Sequence, residues 1–292
     1  MGTGQAPLLT TQMVMDWSEC AAAVAGGDGA GEATPEAAVL LALLPRAEAA
    51  ARPDISGFRV GAAGRGASGK VYLGCNIETA GVDLSHVIHA EAFVVASALA
   101  AGETHLTGLA VTSPPCGQCR QLLKELHRSE NLEILVAKSG AKSISLEELL
   151  PHGFGPKDMD QSSALGVPVD NTLSFLEGQH ADDHLAALAL ESANRAYAPY
   201  SCCPSGVALL LASGEVAVGS YSESCAFNPS ISPMQAGLVS VVSAGGSPAD
   251  ITKCVLVQLP DARVSQEAAT RAVLKAVAPA ASFDLVRAVR RS

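Results

Sequence analysis

Residues 56–78 read SGFRVGAAGRGASGKVYLGCNIE, and residues 201–223 read SCCPSGVALLLASGEVAVGSYSE. Slid by 145 positions, the chain lies on itself without a gap through this stretch. Ser56 meets Ser201, Gly61 meets Gly206, and Ala67-Ser68-Gly69 meets Ala212-Ser213-Gly214. Val71 meets Val216, Gly74 meets Gly219, and Glu78 meets Glu223. Past a short length difference, Arg120 meets Arg271 and Leu123-Lys124 meets Leu274-Lys275. A repeat of this length means two copies of one folding unit.

Each copy carries the same pattern outward from that stretch. A helix comes first, over residues 35–51 and 182–197. Two β segments joined by a Ser-Gly turn follow, 58–63 with 71–73 and 207–211 with 216–218. The first copy then predicts a helix over 89–101, a strand over 108–112, a helix over 116–127 and a strand over 132–137. Hairpin-like strands followed by alternating strands and helices predict an α/β fold, a three-layer α/β/α domain with a mixed sheet, duplicated in one chain. Residues 1–34 read as a small N-terminal arm, 35–150 as the first domain and 181–292 as the second. The Gly-, Pro-, Ser- and Asp-rich stretch 151–180 reads as a linker.

Composition narrows the ligand. Of 292 residues 48% are hydrophobic and only 4% aromatic, which suits a large core of small side chains. The net charge of −10 speaks against a nucleic-acid partner, since phosphate contacts need a basic face. The basic tail of Arg287, Arg290 and Arg291 reads as a solvated helix end. The first twelve residues lack the basic and apolar regions of a secretory signal, and the apolar run 37–44 is too short to span a bilayer. The expectation is a cytoplasmic protein with no membrane partner. Eight cysteines in such a chain argue for thiols or metal ligands over disulfides. Of these, Cys20, Cys75, Cys202, Cys203, Cys225 and Cys254 are scattered and read mostly as small buried hydrophobes.

The chemistry sits in His89-Ala90-Glu91 and Pro115-Cys116-Gly117-Gln118-Cys119. Alone, C-x-x-C also fits a redox pair or half of a closed zinc site. Together with H-x-E, in this order, it matches the zinc-deaminase signature H-x-E…P-C-x-x-C. One imidazole and two thiolates are three zinc ligands that leave a fourth tetrahedral position open, the mark of a catalytic site. Cys116 and Cys119 share a face if Cys116 opens a helix, where the dipole favours thiolate. Glu91 stands two residues from His89, so a regular helix would not face both into one site, and an irregular first turn is required. In the second copy Met234 and Ala236 replace His89 and Glu91, and Glu267 and Thr270 stand near the cysteine positions. The expectation is one Zn2+ per chain and a second copy without a zinc site.

On these residues, and over roughly 35–290, the chain resembles the long, homodimeric cytidine deaminases. The His form of H-A-E and the stretch Phe154-Gly155-Pro156-Lys157-Asp158 carry the likeness to the long type. The resemblance implies a cytidine-deaminase-like fold and hydrolytic deamination of cytidine and deoxycytidine, with Glu91 as proton shuttle. It implies a small-molecule nucleoside substrate and a homodimer. It implies that Asn76 and Glu78 bind the ribose 3′-hydroxyl, that Phe58 packs on the pyrimidine, and that the backbone of Ala90 and Cys116 contacts the base. Pro114, where Ser or Thr is more familiar, would offer its carbonyl to the leaving amino group. Phe154, in the linker, would reach the base in the neighbouring subunit. Cys203 and Tyr221 replace Phe58 and Asn76 in the second copy. A deaminase acting on nucleotides or polynucleotide, and a zinc-stabilised scaffold, are the competing readings.

Overall fold

The computed structural model describes residues 6–25, 34–139, 142–176 and 183–291. In chain order the first half holds β1 (Val14–Asp16), α1 (Trp17–Ala25), α2 (Pro35–Ala49), β2 (Arg52–Pro53), β3 (Gly61–Gly66), β4 (Lys70–Cys75) and β5 (Ile77–Glu78). It continues through α3 (Ala90–Ala100), β6 (Leu106–Val111), α4 (Gly117–Lys124), β7 (Glu133–Val136), β8 (Ser143–Ser145) and α5 (Leu146–Leu149). The second half holds β9 (Leu173–Ser174), α6 (His184–Asn194), β10 (Ser205–Leu211), β11 (Val216–Ser220), α7 (Pro233–Ser243), β12 (Ile251–Gln258), α8 (Glu267–Val277), β13 (Ser282–Arg287) and β14 (Val289–Arg290).

The duplication is visible strand by strand. The first sheet runs β1-β4-β3-β6-β7-β8 and the second β11-β10-β12-β13, so β4-β3-β6-β7 repeats as β11-β10-β12-β13. In both, the first two pairings are antiparallel and the last parallel. Even the irregularity recurs: the register slips between Arg65 and Gly66 in one copy and between Leu210 and Leu211, 145 residues on, in the other. Side chains alternate across a strand, and the helices take opposite faces accordingly. A Cβ on Gly61 would meet α2 at Leu44 and Glu48, while one on Gly64 would meet Val94 of α3. Helices α3 and α7 pack on each other between the two sheets. One hydrophobic core therefore runs through both copies, from Leu40 and Phe93 to Leu238 and Leu256.

Helix starts follow local chemistry. Thr34 accepts from the Ala37 N–H ahead of Pro35, Asp183 from Ala186, and Ser232 with Gln235 forms a capping box ahead of Pro233. The Cβ position of Gly74 lies 2.3 Å from the Ala90 carbonyl oxygen, and that of Gly219 lies 2.2 Å from the Pro233 oxygen. Glycine at both places lets the start of α3, and of α7, press directly on the sheet.

Some expectations change. The strand placed at 58–63 begins only at Gly61. Gly57 adopts φ +67°, which turns the chain, and Phe58 is 53% exposed in a loop rather than in the core. The basic tail is not a helix end: Arg287 closes β13 and Arg290 lies in β14. Helices α4 and α6 are shorter than expected. Cys202 is exposed, whereas Cys20, Cys75, Cys203, Cys225 and Cys254 are buried as expected. The residues read as an arm integrate with both copies. Leu9 donates to the Val216 carbonyl, Gln12 and Met13 donate to Ser243, and β1 then pairs antiparallel with β4. The Gly/Ala run at 26–33 and the first residue of the helix expected at 182 lie outside the described residues.

Candidate metal centre and substrate site

Two helix N-termini converge on one point. His89 is the N-cap of α3 and Cys116 the N-cap of α4, both with extended backbone, so neither residue is yet helical. That answers the spacing problem of His89 and Glu91: the irregularity is at His89 itself, and Glu91 follows in the first regular turn. Nδ1 of His89 lies 3.4 Å from Cys116 Sγ and 3.3 Å from Cys119 Sγ. The three ligand atoms lie within 4.8 Å of one another, and among the described residues this is the group of His, Cys, Asp or Glu able to hold a metal ion. The donor set, one imidazole nitrogen and two sulfurs, fits zinc, and three ligands leave one tetrahedral position for water or substrate.

Electrostatics reinforce the site. Hydrogen bonds from the Cys119 side chain, then from His89, hold the Cys116 thiol down at about 3. The Cys116 hydrogen bond pushes His89 up, against the opposing effect of burial. The positive ends of two helix dipoles favour anionic ligands here. Glu91 is 4% exposed. Burial raises its carboxyl above the usual range, while its own backbone N–H, His89 and the Cys119 side chain pull the other way.

The expected substrate residues form a second group. Asn76 is buried; its Oδ1 accepts from Val60 N–H at 2.9 Å, and its Nδ2 donates to the Phe58 carbonyl at 2.9 Å and to Glu78 Oε1 at 3.4 Å. Glu78 accepts from the N–H groups of Ile55 and Ser56 and from the Ser56 hydroxyl. Burial would raise the Glu78 carboxyl, but the bonds from Ser56, Ile55 and Asn76 outweigh it and hold the group low. One hydrogen-bonded loop thus fixes Phe58, Asn76 and Glu78 together. Ala90 is fully buried against β4, and Pro114 is exposed just before the Cys116 turn. Phe154 is held elsewhere: its carbonyl accepts from Gln121 Nε2 at 2.6 Å on α4, and its ring is 43% exposed. Among the described residues no hydrogen bond or ring contact joins the Phe154 side chain to either group.

Sequence reasoning missed several neighbours. Lys138 places its ammonium 5.3 Å from the Phe58 ring centroid and donates to Ser113 Oγ at 3.2 Å. It follows β7 with no motif to announce it. A pocket of about 50 Å³, open to solvent, is lined by His89 and Cys119 together with Ser230, Ile231 and Gln235 of the second copy. Glu125, at the far end of α4, is completely buried against that copy.

Two family models, each described as the cytidine and deoxycytidylate deaminase zinc-binding region, match residues 35–132 and 146–271. The second match covers the copy whose ligand positions hold Met234, Glu267 and Thr270, with Ala236 in the place of Glu91. A cytidine deaminase of Proteus mirabilis is 40% identical over 243 residues, covering 81% of this chain and 79% of its own. Cytidine deaminase 6 of Arabidopsis thaliana is 40% identical over 263 residues, covering 84% and 89%. A cytidine deaminase of Klebsiella pneumoniae is 41% identical over 244 residues, covering 83% and 80%. Among solved structures, the cytidine deaminase of Burkholderia pseudomallei aligns at 34% identity and TM-score 0.36, over 39% of this chain and 96% of that one.

Proposed function

The chain belongs to the zinc-dependent cytidine deaminase family, and from that premise we propose that it hydrolyses cytidine and 2′-deoxycytidine to uridine and 2′-deoxyuridine, releasing ammonia, in pyrimidine salvage. The observation that carries the reading is the convergence of His89, Cys116 and Cys119 within 4.8 Å beside the buried Glu91.

His89, Cys116 and Cys119 would hold the metal. When bound, zinc supplies a Lewis acid that makes a water it holds far more acidic. Glu91 does the proton work: it accepts a proton from the attacking water and delivers it to N3 of the base. The water oxygen bonds to C4. Glu91 then takes the proton of the new C4 hydroxyl and delivers it to the departing amino group, the C4–N bond breaks as C4=O forms, and ammonia leaves. A buried carboxyl with raised proton affinity suits a group that must hold a proton and release it within one turnover. Asn76 and Glu78 take the ribose 3′-hydroxyl, and their shared loop supports that role by fixing both. Phe58 packs on the pyrimidine, the backbone of Ala90 and Cys116 meets the base, and the Pro114 carbonyl accepts from the leaving amino group. The protein works in the cytoplasm as a homodimer, in which each linker lends Phe154 to the other subunit's site. The exposure of the Phe154 ring and the anchoring of its carbonyl support that reach.

The test follows cytidine conversion to uridine by ultraviolet absorbance, with chelator-stripped protein as control. Turnover lost on stripping and restored by zinc is expected. A folded, zinc-loaded protein that leaves cytidine and deoxycytidine untouched refutes the substrate assignment, and turnover of the monophosphates alone would move it to nucleotides.

A further inference from the structure

The second copy has lost its ligands, yet its side chains brace both segments that carry the ligands of the first. Glu125 caps the C-terminal end of α4, the helix that Cys116 opens and Cys119 lines. It is completely buried, and among the described residues the three donors to its carboxylate all come from the second copy: the Tyr197 hydroxyl at 2.9 Å, the Tyr200 hydroxyl, and the Cys225 N–H at 2.9 Å. On the other side Gln235 donates to the carbonyls of Ser85 and Val87 at 3.4 and 3.3 Å, in the segment leading into His89. By the 145-residue offset Gln235 occupies the place of Ala90, between the lost His and Glu positions.

The duplication shows how the brace is built. In the first copy Glu78 accepts from the N–H groups of Ile55 and Ser56. In the second copy Glu223, its counterpart, accepts from Tyr200 and Ser201, the counterparts of those two residues. The loop-holding carboxylate has been kept, but residue 200 is a tyrosine, and its phenol is delivered to Glu125. The brace is one-sided. Glu125 corresponds to Ala276 on α8, so the helix without ligands has no such handle.

We propose that the second copy positions the metal centre, through Glu125 on α4 and through Gln235 on the approach to His89. The inference rests on the metal reading above. Helix α4 has eight residues, about 12 Å of rise, so a tilt of about 5° at Glu125 moves the ligand end by about 1 Å. Glu125, Tyr197, Tyr200 and Gln235 are positioning residues, acting through the backbone that carries Cys116, Cys119 and His89.

The test uses the full chain loaded with Co2+ or Zn2+ and compares Tyr200→Phe, Gln235→Ala and Glu125→Gln with Tyr72→Phe. Tyr72, on β4, is a buried phenol that donates to Glu103 of the first copy and not to Glu125, and serves as the control for losing any buried hydrogen bond. Tyr200→Phe and Gln235→Ala should shift the Co2+ ligand-field bands and speed zinc release to a chelator about tenfold. Turnover number should fall about tenfold with KM within about twofold, while Tyr72→Phe changes only the melting temperature. If Glu125→Gln does not fold, Tyr200→Phe carries the α4 half of the test beside Gln235→Ala, since Glu125 keeps two donors there. Unchanged Co2+ spectra and release rates in Tyr200→Phe and Gln235→Ala overturn the proposal. So does an equal change in Tyr72→Phe. Wild-type protein that takes up neither metal overturns the metal reading, and this proposal with it.

Discussion

Gly74→Ala tests how closely α3, the helix that carries Glu91, depends on its contact with the sheet. The Cβ position of Gly74 lies 2.3 Å from the Ala90 oxygen, 2.7 Å from Val94 Cγ2 and 3.0 Å from Val94 N. Two of those atoms are backbone, so a rotamer change cannot clear the clash. Ordinary contact begins at 3.4 Å, so the first turn of α3 must retreat by about 1 Å. That turn carries Glu91 and follows directly on His89. Overpacking of this kind costs about 1–3 kcal/mol of stability, a drop of several degrees in Tm for a chain of this size. A displacement of about 1 Å at reacting groups is worth about 100-fold in rate. The assay is cytidine turnover per bound zinc, measured beside a melting curve. Gly74→Ala should lose about 100-fold in turnover per zinc while remaining folded. Wild-type turnover per zinc with an unchanged Tm would refute the reasoning, because it would mean that α3 does not need this seat on β4.

Other outcomes are expected. Glu91→Gln should keep its zinc and lose about 100- to 10,000-fold in turnover number, read by metal analysis and steady-state kinetics. Retained activity removes Glu91 from the proton path. Cys116→Ala should lose both zinc and activity, and a normal zinc content in that variant takes Cys116 out of the ligand set. Burial, aided by Glu103, pushes the Tyr72 phenol up to about 12, and burial raises Tyr197, Tyr200 and Tyr221 as well. An unfolded phenol titrates at about 10, so this stabilisation is complete below about pH 10 and is lost as pH rises through the folded values. Tyrosinate absorbance should therefore rise in one step with the loss of circular dichroism. Phenols that ionise near pH 10 in a still-folded chain would contradict the burial described.

The repeat and the ligand motif were legible because both are local. Strand pairs with a Ser-Gly turn, and H-x-E followed by P-C-x-x-C, need only a few tens of residues to be read. What stayed hidden depends on packing between distant segments. Phe58 in FRVGAA has a strand's composition, and only the turn at Gly57 and the capture of its carbonyl by Asn76 put it in an exposed loop. The Arg287–Arg291 tail resembles a helix end, and it becomes strand through pairing of β13 with β12 and of β14 with β9. Tyr200 and Glu125 are 75 residues apart, and no periodicity in either copy relates them. Read by alignment alone, the second copy is defined by what it lacks. Its contribution lies in side chains that have no functional counterpart in the first.

The N-terminal segment has a consequence for how the protein is made. Leu9 bonds to Val216 and Gln12 to Ser243, whereas β1, a few residues on, pairs with β4. On a growing chain the partner of β1 emerges early, but that of Leu9 emerges about 200 residues later, roughly 10–40 s at ordinary rates of synthesis. The first copy can thus close its sheet while the leading residues wait unpaired. Their docking is a late event that only a finished second copy permits. Protease resistance of residues 7–13 would then serve as a clock for synthesis of the second copy, marking the moment at which that copy is there to receive them.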